Sequence, residues 1–413
     1  MIATHHQWRL TKDKIGARLK LIEPMVHRRS VPLPPFRVVP LPGPRVDAVQ
    51  VHDPEGAYDV PHDSYWGRAD LNFVMTSSFI VPDGWDKMQL ALHLPLGVLG
   101  DIFNHPESLV HIDQEPIASA DRYHHTIPLY SRMADGKPHV VSLHGWTGLA
   151  GWPPDPETKA KLYMGRPALV ERCPHTVAFL RLANAAFDTL GHLGLHTPEA
   201  PGLLDALDTA FQALDTRDPM GEAFYASVPE ALRLLRQGIE EAGQPLDVTL
   251  HGIGHAHMDI AYLWTVDQIR LKNARTYSNV LRLMDRDPEF LFSHSQPALY
   301  EMTAKDYPDL FTRIQERVDE GRWEVMCGMW VEPDLNIPGG EALVRQLKLG
   351  RSYFAEHFGG VETPVLWLPD TFGFPGQIPQ LMRQAGLKWF VTNKLNWNQI
   401  NRVPWSSHVW EGS

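Results

Sequence analysis

The hydrophobic pattern along the chain changes texture three times. Residues 7–22 carry the three-four spacing of a short amphipathic helix. The stretch "VPLPPFRVVPLPGPRV", residues 31–46, is too dense in proline to be helical and predicts an extended, stiff connector packed across its neighbours. From about residue 60 to 170, runs such as "NFVMTSSFIV", "KMQLALHLPLG" and "HVVSLHGW" alternate apolar and polar positions, with Gly, Pro, Asp and Asn between them. In "KMQLALHL" this puts Met88, Leu90, Leu92 and Leu94 on one face. Short strands punctuated by turns predict an antiparallel sandwich. After residue 171 the spacing becomes helical again, in "TVAFLRLANAAFDTLGHL", "GLLDALDTAFQALD" and "VPEALRLLRQGIEEAG". Beyond "AGQPLDV", strand-like runs beginning with "LDVTLHGI" alternate with helical ones, which predicts parallel strands joined by right-handed crossovers. The fold class expected is therefore multidomain. A 1–60 N-terminal helix and Pro-rich connector leads to a 61–170 antiparallel β-sandwich, a 171–246 helical section, and a 247–413 α/β domain with a mainly parallel sheet or barrel.

Composition narrows the partners. With 413 residues, 43% hydrophobic and 21% charged, the chain has ample material for cores. A net charge of -11 argues against nucleic acid and against membrane surfaces. No apolar run approaches the roughly 20 residues that span a bilayer, and the N-terminus lacks the apolar core of a signal peptide. The two cysteines, Cys173 and Cys327, make no disulfide framework and are expected in the core, which fits a reducing, cytoplasmic setting. Histidine (21) and tryptophan (13) are both frequent. Imidazoles suit metal and acid–base work; tryptophan faces suit sugar rings.

The chemistry concentrates where predicted strands end, the place at which α/β folds gather ligands. In "LHGIGHAHMDIAYLW", residues two apart in extended chain face one way, so His257 and Asp259 point together, with His255 on the same side. An imidazole nitrogen and a carboxylate oxygen fixed on one backbone suit zinc; the plainer reading is a hydrogen-bonded pair. In "VLWLPDTFGFPGQIPQLM", Asp370 ends a buried strand, a costly position for a charge unless a cation meets it. The plainer reading there is a cap for the next helix. Phe372 follows as an apolar wall. The loop "CGMWVEPDLNIPGGEALVRQL" offers Trp330 for stacking and Glu332, Asp334 and Asn336 for hydroxyl groups, and "FSHSQPALYE" offers His294, Ser295 and Gln296. In the sandwich, "HIDQEPIASADRYHHTIPL" is of the kind found in modules appended to sugar-acting enzymes, with His124 and His125 as sugar or metal contacts or as plain loop histidines.

"GHAHMDIAYLW", "FSHSQPALYE", "GRWEVMCGMWVEPDLNIPGGEALVRQ" and "LWLPDTFGFPGQIPQ", in that order, resemble glycoside hydrolase family 38, the α-mannosidases, in its vacuolar/cytosolic and bacterial branch. The resemblance covers residues 247–413, and the preceding region resembles that branch more loosely as a carbohydrate-binding-like sandwich. It implies a zinc-dependent retaining exo-mannosidase. His257 and Asp259 match the first two zinc ligands, and Asp370 matches the aspartate that is both ligand and nucleophile, forming a covalent mannosyl-enzyme. Tyr262 stands where the family often has a tryptophan beneath the sugar. The fourth zinc ligand, a histidine, and the general acid are expected beyond residue 413, so the catalytic domain is expected to be incomplete in a chain stopping at "SSHVWEGS", and turnover by the chain alone is expected to be low. The partner implied is a mannose-containing oligosaccharide, with a homo-oligomer also compatible. Two other readings stay open: a metal hydrolase of the amidohydrolase or polysaccharide deacetylase type, in which His255 and His257 form a His-x-His pair, and an inactive carbohydrate-binding fragment.

Overall fold

The computed structural model describes residues 5–44, 56–97, 105–149, 162–194, 197–244 and 246–412. Helix α1 (His5–Ile22) opens the chain, and a single 3-10 turn at Glu23–Val26 leads into β1 (His27–Pro32) and β2 (Phe36–Leu41). The Pro-dense stretch is therefore extended as expected up to Leu41, but it is built into two sheets and is not a free connector; its last two residues, 45 and 46, lie outside the described residues. Pro40 is tolerated inside β2 because pairing with β3 (Tyr58–Val60) stops at Val38, so the missing N–H falls on an unpaired side.

Strands β4 (Ser64–Trp66), β5 (Asn72–Phe79), β6 (Leu90–His93), β7 (Glu107–Ile112), β8 (Glu115–Ala120), β9 (Thr126–Pro128), β10 (His139–Trp146), β11 (Leu162–Met164) and β12 (Ala168–Arg172) complete the antiparallel region. They form a six-stranded sheet, β3-β2-β5-β10-β7-β8, a four-stranded sheet, β1-β12-β6-β9, and the pair β11-β4. Alternate residues of both large sheets meet in one core, with Phe36, Val38, Phe73, Met75, Val110 and Leu143 against Leu90, Leu92 and Leu169. Met88, expected on that face, lies before β6 begins and is 76% exposed. The helices α2 (Pro174–His192), α3 (Glu199–Gln212) and α4 (Glu222–Ala242) share a second core with α1, around Ile15, Phe179, Leu207 and Phe224. The expected 1–60 unit is thus divided. Its helix belongs to the helical core, and its strands belong to the sandwich, because each buries its apolar face there.

The last region runs α5 (Val266–Arg286), β13 (Phe292–His294), α6 (Pro297–Asp306), α7 (Pro308–Asp319), β14 (Trp323–Val325), α8 (Gly340–His357), β15 (Val365–Trp367), α9 (Ile378–Gln384) and β16 (Trp389–Val391). Thr265 caps α5 by accepting from the Gln268 amide at 3.3 Å. The sheet differs from expectation. Among the described residues the parallel pairing consists of two separate ladders, β13 with β14 and β15 with β16, not one continuous sheet or barrel. The run "LDVTL" forms no strand; Val248 and Leu250 are 60% and 87% exposed, having no neighbouring strand to pair with. Only Gly254 bridges to Phe292. Glycine is needed there, since a Cβ would lie 2.9 Å from the Phe290 ring.

Helix α5 ties this region to the sandwich through polar contacts. Lys272 Nζ and Arg275 Nη2 both reach Glu107 at 2.8 Å, Gln268 donates to Asn72 Oδ1 at 2.6 Å, and Asn279 accepts from the Ser119 amide at 2.8 Å. Burial alone pushes the Glu107 carboxyl upward, but the hydrogen bond from His105 and the charges of Arg275 and Lys272 outweigh it and hold it well below the usual range. No described helix is long and apolar enough to cross a membrane.

Glu107→Gln leaves two cations without their carboxylate at a buried junction and should cost about 3–5 kcal/mol in a denaturant titration. The depressed folded-state pKa makes this contribution fully present above the unfolded value of about 4.3 and lost as pH falls through the folded one. The stability gap between wild type and variant should therefore close in acid, and a gap independent of pH would exclude this origin.

Candidate metal centre and active site

The chain enters the site immediately after the Gly254 bridge, which fixes where residues 255–259 begin. Two side chains, one at the end of β13 and one from the loop after it, then grip the backbone on either side of His257. His294, fully buried, bonds through Nε2 to the Ala256 carbonyl at 2.8 Å and accepts at Nδ1 from Tyr277 at 3.1 Å. Burial, with the neighbouring His255 charge, lowers its pKa to about 3, so it is a neutral structural group. Gln296, held at φ 64, donates to the Met258 carbonyl at 2.7 Å and accepts the Glu332 amide at 3.2 Å. Trp264 donates to the Asp259 carbonyl at 3.0 Å. The residues of "HSQ" were read as a polar strand end facing ligand; His294 and Gln296 instead shape the loop that presents His257.

That loop brings together residues far apart in sequence. Ligand atoms of His257, Asp259 and Asp370 all lie within 4.8 Å of one another. His257 Nε2 is 3.3 Å from Asp259 Oδ1 and 3.5 Å from Asp370 Oδ2, while its Nδ1 faces Glu332 Oε2 at 3.5 Å. The hydrogen bond that His257 donates to Asp259 raises the His257 pKa against the opposing effect of burial, with Glu332, Asp259 and Asp370 adding their charges. Glu332, its side chain 7% exposed, accepts from Ser295 Oγ at 2.9 Å. Burial first, and then the charges of Asp259 and Asp370, push its carboxyl up to about 7 despite the opposing His257 charge and Ser295 bond. Glu332 thus stands behind the imidazole, where the sequence suggested a partner for hydroxyls.

One participant carried no signal in the sequence pattern. Lys394, in the turn after β16, pairs with Asp370 Oδ1, and its side chain is 7% exposed. Its ammonium sits 4.0 Å from the centroid of the Trp397 ring and 4.6 Å from that of Phe372. The two oxygens of Asp370 are therefore addressed separately, Oδ1 by Lys394 and Oδ2 by the His257 cluster. A lysine some two dozen positions downstream, in a segment without periodicity, gives no reason to be singled out.

The other expected site residues divide. Phe372 is 54% exposed beside Trp397, at 5.7 Å between centroids, and Tyr262 is 65% exposed beside Trp264. Trp330 turns its ring edge onto Tyr353 at 5.7 Å. Asp334 uses Oδ1 to fix its own turn, accepting from Asn336 N at 2.7 Å and Ile337 N at 2.8 Å. Asn336 donates to the Phe372 carbonyl at 3.2 Å, joining the two loops. Gly373 has φ +94, and a Cβ there would strike Asn336 Nδ2. His255 turns away: its Nδ1 bonds to the Ser293 carbonyl at 2.8 Å, its ring packs on Trp367, and burial lowers its pKa. It is not in the cluster with His257, which removes the pairing that a His-x-His metal hydrolase requires. In the sandwich, His124 pairs with Asp121 at 2.8 Å, and His125 is half-buried near His93.

Residues 247–413 match the family model described as the N-terminal domain of glycosyl hydrolases family 38. Alpha-mannosidase 2C1 of Mus musculus is 33% identical over 319 residues and that of Homo sapiens 34% over 322, in each case 74% of this chain and 30% of the relative. The alpha-mannosidase of Saccharomyces cerevisiae is 36% identical over 197 residues, 48% of this chain and 18% of the relative. The chain therefore spans about a third or less of the length of these relatives. The matched segment contains each member of the carboxylate–histidine cluster, and residues 247–413 belong to glycosyl hydrolase family 38.

Proposed function

We propose that this chain carries the nucleophile and part of the metal site of a zinc-dependent, retaining α-mannosidase that removes terminal α-mannosides from oligosaccharides or glycans. The observation that carries the proposal is the convergence of His257, Asp259 and Asp370 from loops more than a hundred residues apart. One imidazole and two carboxylates form a donor set suited to zinc. Glu332 behind His257 Nδ1 supplies the outer carboxylate that commonly orients a metal-bound histidine. Bound there, zinc would act as a Lewis acid toward the sugar's hydroxyl groups.

Asp370 is the proposed nucleophile. Its carboxylate adds to the anomeric carbon as the glycosidic C–O bond breaks, and the leaving oxygen takes a proton from the general acid. Water then displaces the carboxylate from the opposite face, so two inversions retain the α configuration. Lys394 acts as a positioning residue. It holds Oδ1 and keeps the carboxylate aligned, and the aromatic rings of Phe372 and Trp397 hold the ammonium. Phe372 and Tyr262 offer exposed faces for the sugar, and Asp334 keeps Oδ2 for a hydroxyl. Trp330, turned onto Tyr353, would serve the subsite through the wall it forms rather than by an open face. The sandwich is proposed as a carbohydrate-binding-like module. Both cysteines are buried and free, which supports a cytoplasmic setting.

In the intact protein, Asp370→Asn should lower hydrolysis of an aryl α-mannoside by about four orders of magnitude or more with the fold retained; a wild-type rate would remove Asp370 from the reaction. Exhaustive chelation should abolish hydrolysis and added zinc or cobalt restore it, whereas full activity in the chelated protein would exclude the metal. Gln296→Ala frees both the Met258 carbonyl and the Glu332 amide. Calorimetric zinc affinity should fall by about 10–100-fold, as for loss of an outer-shell partner. Unchanged affinity would show that the loop holds itself.

A further inference from the structure

A second cluster of charge lies away from the carboxylates, on the outer face of the four-stranded sheet. The inner face of that sheet carries Leu90, Leu92 and Leu169. Its outer face has a floor of small buried residues, Ala91, Ala168 and Val170. Around the floor stand His27, His93 and Arg172: His27 is the cross-strand partner of Arg172, and the His27 and His93 rings are 4.9 Å apart. Helix α5 supplies Arg282, whose Nη2 donates to the Pro128 carbonyl at 3.1 Å on β9. Pro128 pairs with Ala91, and Ala91 with Val170, which lies two residues before Arg172 on the same face of β12, so Arg282 and Arg172 flank the same small-residue floor. Arg286 lies one turn further along α5, on the same side. Arg181 of α2 closes the group.

These guanidinium groups are close enough to repel. Burial first, then the charges of Arg286 and Arg181, lower the Arg172 pKa to about 10; burial, then Arg181 and Arg282, lower that of Arg286. Among the described residues, Arg172, Arg181 and Arg286 make no salt bridge and no side-chain hydrogen bond. Asp285, beside Arg286 in sequence, is engaged by Arg313 and Arg317, and Asp287 caps Glu289. The Nε atoms of Arg172 and Arg282 and the Nδ1 of His93 are buried without any partner, although Arg282 as a residue is only 8% exposed. His27 and His93 are neutral at pH 7, their pKa values lowered by burial to about 4, so they add hydrogen-bonding capacity without adding to the repulsion.

Of these groups Arg181 and Arg286 are exposed, and Arg282 is met by the Pro128 carbonyl and by the Tyr130 ring, 3.6 Å from its centroid, so the cost of an unanswered charge falls mainly on the part-buried Arg172. Buried donors left unpaired add to that cost. Both costs fall if an anion with several acceptor oxygens enters. The arginine fork fits phosphate bidentately, and a single carboxylate would satisfy only one such fork. We propose that this basic cluster binds a phosphate-class oxyanion, either free or as the phosphomonoester of a small metabolite. The site is distinct from the His257 cluster and does not depend on the mannosidase reading.

The test is thermal unfolding of the full chain titrated with inorganic phosphate, with chloride holding ionic strength constant. Expected is a saturable rise in Tm, since a ligand bound only by the native state stabilises it. Arg181→Gln and Arg286→Gln change exposed side chains and should leave the fold intact, yet each should weaken the apparent affinity by about tenfold or more, the loss of one charge-assisted hydrogen bond. Arg172→Lys keeps the charge but loses the fork and should weaken phosphate in the same sense. A hexose 6-phosphate binding more tightly than inorganic phosphate would assign a phosphorylated metabolite; equal binding would assign the free anion. No saturable stabilisation, or one untouched by all three variants, would overturn the site. So would variants that dissociate an oligomer while phosphate has no effect, because the arginines would then face an acidic polypeptide.

Discussion

Like-charge crowding around one imidazole is the constraint on which the catalytic region turns. Asp259, Glu332 and Asp370 all face His257, and two unit charges about 4 Å apart near a protein surface interact by roughly 4 kcal/mol. Three carboxylates cannot share that space as free anions. The protein meets the problem in three ways: it raises the proton affinity of His257, it buries Glu332 so that its carboxyl is pushed up to about 7, and it sets the Lys394 ammonium on the far oxygen of Asp370. A divalent cation would replace all three devices at once. This is why the same residues that look strained without one form a coherent ligand set with one.

Keeping such a cluster requires a backbone that cannot relax away from it. The parallel ladders are short, so sheet hydrogen bonds alone do not fix the strand ends. The work falls to side chains that bond to the main chain: His294 on Ala256, Gln296 on Met258 and on the Glu332 amide, Trp264 on Asp259, Asn336 on Phe372. Behind them, α5 carries the load to the sandwich through Glu107, Asn72 and Ser119. Its buried face shares one core with β13 and β14, through Tyr277, Phe292 and Trp323. The sandwich therefore acts as a base for the active region as well as a neighbour to it.

What the sequence made legible follows from which physical rules are local. Alternation and three-four spacing predicted most strands and helices, since each depends only on nearby residues. His257 and Asp259 were legible as a pair because residues two apart in extended chain face one way, and Asp370 because a charge directly after an apolar strand is costly unless a cation meets it. The errors come from non-local facts. "LDVTL" alternates properly, yet it stays exposed because a strand exists only beside a partner. His255 and His257 have identical local claims to the metal, and only the position of the Ser293 carbonyl decides between them. Glu332 was read as a hydroxyl partner because its burial behind His257 is set by Ser295 and Gln296, residues of another loop. The Pro-dense run was legible as extended, but no local rule says which sheet will take it.

Lys394 shows how far such a non-local contact can matter. A carboxylate attached through one single bond can rotate, and rotation would exchange the oxygen that faces a cation for the one that faces a sugar. With Oδ1 bound to an ammonium wedged between Phe372 and Trp397, and Oδ2 opposite His257, each oxygen has a fixed role before any ligand arrives. The rings hold the ammonium by its charge without offering it a competing acceptor, so the ion pair is oriented toward Asp370 alone. If Asp370 is the nucleophile proposed above, fixing its oxygens in advance removes a reorganisation cost at the moment of reaction. The aromatic residues beside Asp370 thus hold the lysine through their ring faces, which accounts for their being aromatic where a simple apolar wall would have needed only aliphatic side chains.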